Sequence, residues 1–393
     1  MVDTEAPKTD DNKTTFLGVA AAGFLIWAIA VTVMLGNERS KEAAPPMEAA
    51  PSVAVEVEES ASMLGVGSSL EATNVCHKKK IDLPNIECFL SIDDDDADVS
   101  GEVVAAGPQA GANVTKGHNG DLEVDVEPIT TPYYQAGLCP VNVHWHLGTE
   151  HYSAGEYDCD VSIHDEHREL GEEKVCGPTP VHERRKLAGK ARQGFQCNYY
   201  DAEDPKFTTP YEWKFCDKTM EVGQTYEVHW PHSAAGACGT PNQYQTPFYD
   251  GVMCNLDLET LLSLAPQDIA NAVGVQAQVF TIVNDEAFYY PDLFRGMVVE
   301  PELGMGSDMA IYTGSTTGTT RDNTICSSYT PITWQVDRKC HMISASSFDK
   351  MCADMMEQRD DMSDDLYAHG ARVLVDDALV ANNYATRGLR ASA

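Results

Sequence analysis

The sequence predicts a mostly β domain with a few short helices, held behind a single transmembrane helix. Six segments carry the β expectation: residues 124–129, 141–147, 226–230, 277–283, 309–312 and 332–336 alternate β-branched or aromatic side chains between Gly, Pro or Asp breaks. Helical spacing is confined to residues 258–265, about 268–273 and 347–358, the last with Ser346 or Ser347 placed to cap it. The membrane expectation rests on residues 16–36, FLGVAAAGFLIWAIAVTVMLG, an uncharged run of about the ~20 residues that a spanning helix needs.

In chain order, residues 1–15 read as a cytosolic tail and residues 16–36 as an uncleaved signal anchor. A cleaved secretory signal has a shorter apolar core, a basic start and a small-residue cleavage site. Here the first residues carry more acid than base, and no such site follows Gly36. Loop charge does not orient the helix, because Lys8 and Lys13 on one side are matched by Arg39 and Lys41 on the other. The cysteines decide instead. All 12 lie beyond the apolar run, dispersed and without CxxC pairs, which reads as disulfides in an oxidising compartment. The C-terminal domain is therefore expected outside the cytosol, at a cell surface, in a periplasmic space or in an organelle lumen. The sequon Asn113-Val114-Thr115 agrees with that placement.

Residues 37–70, rich in Ala, Pro and Glu with little to bury, read as a flexible tether, and residues 71–393 as one large domain. Within it, the charged and irregular residues 160–193 are expected to be a surface insertion. The formal net charge of −34 excludes nucleic acid as a partner, since phosphate binding needs a basic surface. The run Asp93 to Asp96 lacks the spaced ligands and glycine of a calcium loop and reads as a solvated turn.

The chemistry is densest in CPVNVHWHLGTEHYSAGEYDC, residues 139–159. In a strand, side chains alternate faces, so His144 and His146 share one face while Val143, Trp145 and Leu147 take the other. Two imidazoles so placed are two-thirds of a catalytic zinc site, which uses three protein ligands and keeps a fourth position for water. The third is expected from His229 in Tyr226-Glu227-Val228-His229-Trp230, a second strand that repeats the His-Trp pattern. His151, His232 and His164 remain its competitors. His151 has the opposite parity to His146, His232 follows Pro231, and His164 stands among Asp165, Glu166, His167 and Arg168. Three neutral imidazoles would leave one zinc per chain its full double charge, whereas thiolates would blunt it.

Residues 139–159, together with GFQCNYYDAEDPKFTTPYEWKFC at 194–216 and TYEVHWPHSAAGACGTPNQYQTPFYDGV at 225–252, resemble the delta-class carbonic anhydrases of marine microalgae. A more distant resemblance is to the alpha class, through His144-Trp145-His146, Thr149-Glu150-His151, YTGSTTGT at 312–319, ITWQVDRKCHMISASSF at 332–348 and ALVANNYATRGL near the C-terminus. The shared order of these pieces implies an alpha-carbonic-anhydrase-like, mostly antiparallel sheet. It implies zinc-dependent, reversible hydration of CO2 to bicarbonate and a proton.

The resemblance also implies roles. Thr317 aligns on the threonine that accepts the hydrogen bond of the attacking hydroxide, with Thr316 as the alternative if one residue is deleted, and Glu150 on the glutamate that accepts from that threonine. His118, in a Gly-His pair upstream of the zinc pair, stands where the alpha class has its proton shuttle. The alpha-class alignment of His229-Trp230 would instead put Tyr226 at the ligand position, so the third ligand is less firmly tied than the first two. The alternatives from other classes are a catalytically silent cell-surface binding module and a zinc-dependent esterase or other hydrolase on the same scaffold.

Overall fold

The computed structural model describes residues 74, 76, 109–159, 191–246, 249–315, 331–358, 362, 365–382 and 385–387. All of them fall in Leu70–Ala393, one of the two units into which the chain divides. Residues 16–36, the tether and most of the expected insertion lie outside the described residues. Among the described residues no helix is long and apolar enough to cross a membrane.

The strands are β1 (Cys139–Pro140), β2 (His144–Leu147), β3 (Thr225–Ser233), β4 (Val273–Val283), β5 (Met309–Gly314), β6 (Ile332–Ser344), β7 (His369–Gly370) and β8 (Ala385–Arg387). They form one sheet in the order β7-β2-β3-β4-β6-β5-β8, with β1 pairing β3. Five pairings are antiparallel, while β2 with β7 and β4 with β6 run parallel. The sheet is thus mixed rather than purely antiparallel. After β4 the chain crosses to lay β5 outside β6, and β6 returns between them alongside β4.

Five helices are described: α1 (Pro205–Thr208), α2 (Tyr249–Val252), α3 (Leu258–Ser263), α4 (Pro266–Ala272) and α5 (Ala345–Met356). Asp257 caps α3 through its side chain, and Ser344, one turn earlier than Ser347, caps α5 by accepting from the Ser347 N–H. Residues 124–129, expected as a strand, form no strand ladder among the described residues. Val126 and Ile129 bury their side chains all the same, and the Ile129 N–H is satisfied by Thr333 Oγ1 at 3.0 Å. The alternation therefore records burial without a ladder. β6 runs eight residues beyond its expected end at Val336, because a register shift accommodates the polar Asp337-Arg338-Lys339 between the Ala277 and Val279 pairings.

Each sheet face carries its own core. Val143, just before β2, and Trp145 and Leu147 of β2 pack with Tyr226, Val228 and Trp230 of β3 and with Phe348, Met351 and Met355 of α5. The opposite face is built on Val275, Ala277, Val279, Tyr312 and Trp334. Strand parity thus turns His144, His146 and His229 away from the α5 side. Cys76–Cys254, Cys139–Cys238, Cys197–Cys340 and Cys216–Cys352 are disulfides, Cys159 is also disulfide-bonded, and no described cysteine is free. Cys139–Cys238 ties the start of the His144 segment to the chain that leaves β3.

Candidate metal centre

The antiparallel register sets His144 opposite His229 and His146 opposite Glu227, so the three histidines and one carboxylate share a face. One ring nitrogen from each of His144, His146 and His229 lies within 4.8 Å of the others, and all three residues are buried. What surrounds the cluster fixes the rings one by one.

Asn142 precedes His144 by two residues on the same face. Its Nδ2 donates to the Gln245 carbonyl at 2.7 Å, which turns its Oδ1 to His144 Nδ1 at 2.6 Å. Nδ1 is then the protonated nitrogen, and Nε2 keeps the lone pair. His146 Nδ1 lies 3.2 Å from the Gly370 carbonyl and 3.4 Å from Glu150 Oε1, both acceptors only, so its lone pair is likewise on Nε2. His229 Nε2 has Glu227 Oε1 3.3 Å away without hydrogen-bond alignment. His146 Nε2 and His229 Nε2 are both buried without a hydrogen-bond partner. An orphaned buried nitrogen is costly, and two of them in one cluster of neutral imidazoles fit a cation that accepts lone pairs.

Glu227 also anchors a relay. Its Oε2 accepts from the Glu150 N–H at 2.6 Å, its Oε1 from His151 Nδ1 at 2.5 Å, and His151 Nε2 meets the Tyr312 hydroxyl at 2.8 Å. His151, Glu227 and His229 also bring ligand atoms within 4.8 Å of one another. Both His151 nitrogens are engaged, however, so this group is a hydrogen-bonded support and not a second set of free donors. Burial would raise the Glu227 carboxyl, and His151 with His229 holds it well below the usual carboxylate range. The Trp334 ring, 5.2 Å from His229 and 5.3 Å from His151, supplies an apolar wall.

Of the other expected residues, Glu150 is fully buried and its two oxygens are held by Arg372, whose backbone N–H donates at 3.0 Å and whose guanidinium lies at 3.4 Å. Thr316, Thr317 and His164 lie outside the described residues. His118 Nε2 is 2.9 Å from Asp377 Oδ1. His232, three residues beyond His229 and so of the other strand parity, bonds through Nδ1 to the Trp230 carbonyl at 2.7 Å. Tyr226 lies in the α5-side core with its hydroxyl on the Glu221 N–H, away from the histidine face.

Several residues of the site were not anticipated from the sequence. Asn142 and Glu227 carry a readable signal, each a polar residue two before a histidine in an apolar strand. Arg372, Tyr312 and His369 carry none. The His369 ring lies 5.4 Å from that of His144 and 5.8 Å from that of His146, with its Nε2 on Asp365.

Burial pushes the His146 imidazole down to about 3, Glu150 opposing, and the His232 imidazole down to about 4. Both stay neutral in the fold while an unfolded chain protonates them near pH 6.5, so below that pH the unfolded state binds more protons. Their contribution to the metal-free protein is complete above about pH 6.5 and is lost as pH falls toward those lower values, at up to about 1.4 kcal/mol per pH unit for each group. The urea midpoint of chelator-treated protein should therefore be lower at pH 5 than at pH 7. Equal midpoints would contradict the burial of these neutral rings.

No curated protein matches the chain. The family profile of Delta carbonic anhydrase matches residues 135–347, a stretch that contains β1 to β6 and all three clustered histidines and covers more than half of the 393 residues. The chain belongs to the delta carbonic anhydrase family, whose members are metalloenzymes of CO2 and bicarbonate.

Proposed function

We propose that this chain hydrates CO2 reversibly with one zinc ion held by His144, His146 and His229. The observation that carries the reading is the buried trio itself, with two imidazole nitrogens that no protein group satisfies. Zinc, when bound there, supplies the Lewis acidity that lets water lose a proton near neutral pH, an effect for which carbonic anhydrase is itself the reference case. The protein's own work is positional. Asn142 and the Gly370 carbonyl fix the ring orientations of His144 and His146, and the Glu227 carboxylate stands beside His229. Trp334 keeps one side of the centre apolar, which suits a nonpolar substrate.

Thr317 and Glu150 are proposed to orient the attacking oxygen, as the alpha-class resemblance implies. His118, paired with Asp377, is proposed to pass the released proton to buffer. The domain is proposed to follow an alpha-carbonic-anhydrase-like plan and to lie outside the cytosol, anchored through residues 16–36. Its described cysteines, all in disulfides, support the compartment.

One purified sample of the full chain tests this. It should carry about one zinc per chain and hydrate CO2 well above buffer. Zinc without hydration would leave a binding module, and hydrolysis of esters without hydration would leave a hydrolase. Absence of zinc would remove the proposed centre.

A further inference from the structure

The family match ends at residue 347, yet residues 365–372 complete the surroundings of two clustered histidines. β7 pairs parallel with the outer edge of β2, aligning His146 with His369 and Leu147 with Gly370. The segment is clamped on its other side. The Ala371 N–H donates to the Arg192 carbonyl at 2.8 Å, and Arg192 Nη1 reaches the Ala371 and Arg372 carbonyls. A Cβ on Gly370 would stand 2.8 Å from Arg192 N, and one on Gly194 would stand 2.8 Å from Ala371 Cβ, so glycine at both positions lets the strap lie this close.

This segment sets both acceptors of His146 Nδ1. Gly370 gives its carbonyl directly, 3.2 Å from Nδ1, and Arg372 governs the second, because it holds Glu150, whose Oε1 is 3.4 Å from the same nitrogen. Glu150 and Arg372 are almost wholly shielded from solvent. Two acceptors thus share one N–H, and the guanidinium keeps the carboxylate from taking it away from the carbonyl.

We infer that residues 365–372 are a working part of the metal centre and that Arg372 is a positioning residue, acting on His146 through Glu150. Without Arg372 the side chain at position 150 loses its anchor, the second acceptor at Nδ1 is no longer fixed, the ring turns and Nε2 leaves the common point of the trio. This rests on the proposed zinc site, and the test separates the two.

The experiment uses the full chain loaded with zinc and follows release to a coloured chelator, with the visible spectrum of the cobalt(II)-loaded protein as a report on ligand geometry. Arg372→Gln should release zinc about 10-fold faster and alter the cobalt band, with Arg372→Lys recovering part of both. If the bare Glu150 charge prevents folding, the neutral pair Glu150→Gln with Arg372→Gln keeps the volume and should show the same faster release. Native release rates and an unchanged cobalt spectrum in these folded variants would overturn the inference while leaving the zinc site standing. Failure of the unmutated chain to take up zinc or cobalt would overturn both.

Discussion

His146→Ala is expected to leave a protein that retains less than about a tenth of a metal ion per chain and to lower CO2 hydration by at least about 1,000-fold, some 4 kcal/mol of transition-state stabilisation. The three rings form a triangle, with the His146 centroid 5.2 Å from that of His144 and 4.6 Å from that of His229, and those two 5.2 Å apart. Two imidazoles do not hold a catalytic ion against water and buffer as three do. His144→Ala should behave alike. The check is metal analysis beside activity, with the number of alkylatable thiols as the folding control, since the native disulfides should stay closed. A folded His146→Ala protein with full metal and normal turnover would move the centre elsewhere.

Much of this site can be read from alternation alone. A strand with histidines two apart puts both on one face, and a second strand with a histidine between Val228 and Trp230 offers a third from a neighbour. The register His144 opposite His229 then places them together. The same arithmetic explains why Trp145, Val228 and Trp230 all enter the core under α5.

Alternation fails where side chains are buried by something other than a ladder. Val126 and Ile129 are shielded within an irregular segment, and the charged Asp337 and Arg338 lie buried inside β6. Asp337 is tolerated there because its Oδ2 accepts from Gln278, the Gly306 N–H and His341, and Arg338 because it reaches Asp308 and two carbonyls. Apart from His341, four residues on in β6, these partners come from distant parts of the chain, which no local pattern foretells. Arg372 and His369 are hidden for the same reason. Their place is set by a two-residue parallel bridge to β2, too short to leave a periodic trace.

Glu227→Gln is expected to weaken metal binding while sparing the fold and all three histidines. The carboxylate accepts from the Glu150 N–H and from His151 Nδ1, so a glutamine, with one oxygen and one NH2, would leave a donor facing a donor if nothing else moved. The relay can rewire. With its oxygen kept on the Glu150 N–H, the new NH2 faces His151 Nδ1, the His151 proton moves to Nε2, and Tyr312 turns its hydroxyl to accept there. The Glu150 N–H and both His151 nitrogens keep partners, and what disappears is the negative charge 3.3 Å from His229. Losing that charge beside the cation site should cost about 10- to 100-fold in metal affinity, or about 1.4 to 2.8 kcal/mol. Glu227→Leu, by contrast, strands the Glu150 N–H and His151 Nδ1 and should yield little folded protein. Competition against a chelator of known affinity measures the first effect, and Tyr312→Phe serves as the control, since it trims the relay but leaves the carboxylate beside His229. An affinity of Glu227→Gln within about twofold of native would mean that the charge at Glu227 serves the fold and not the metal.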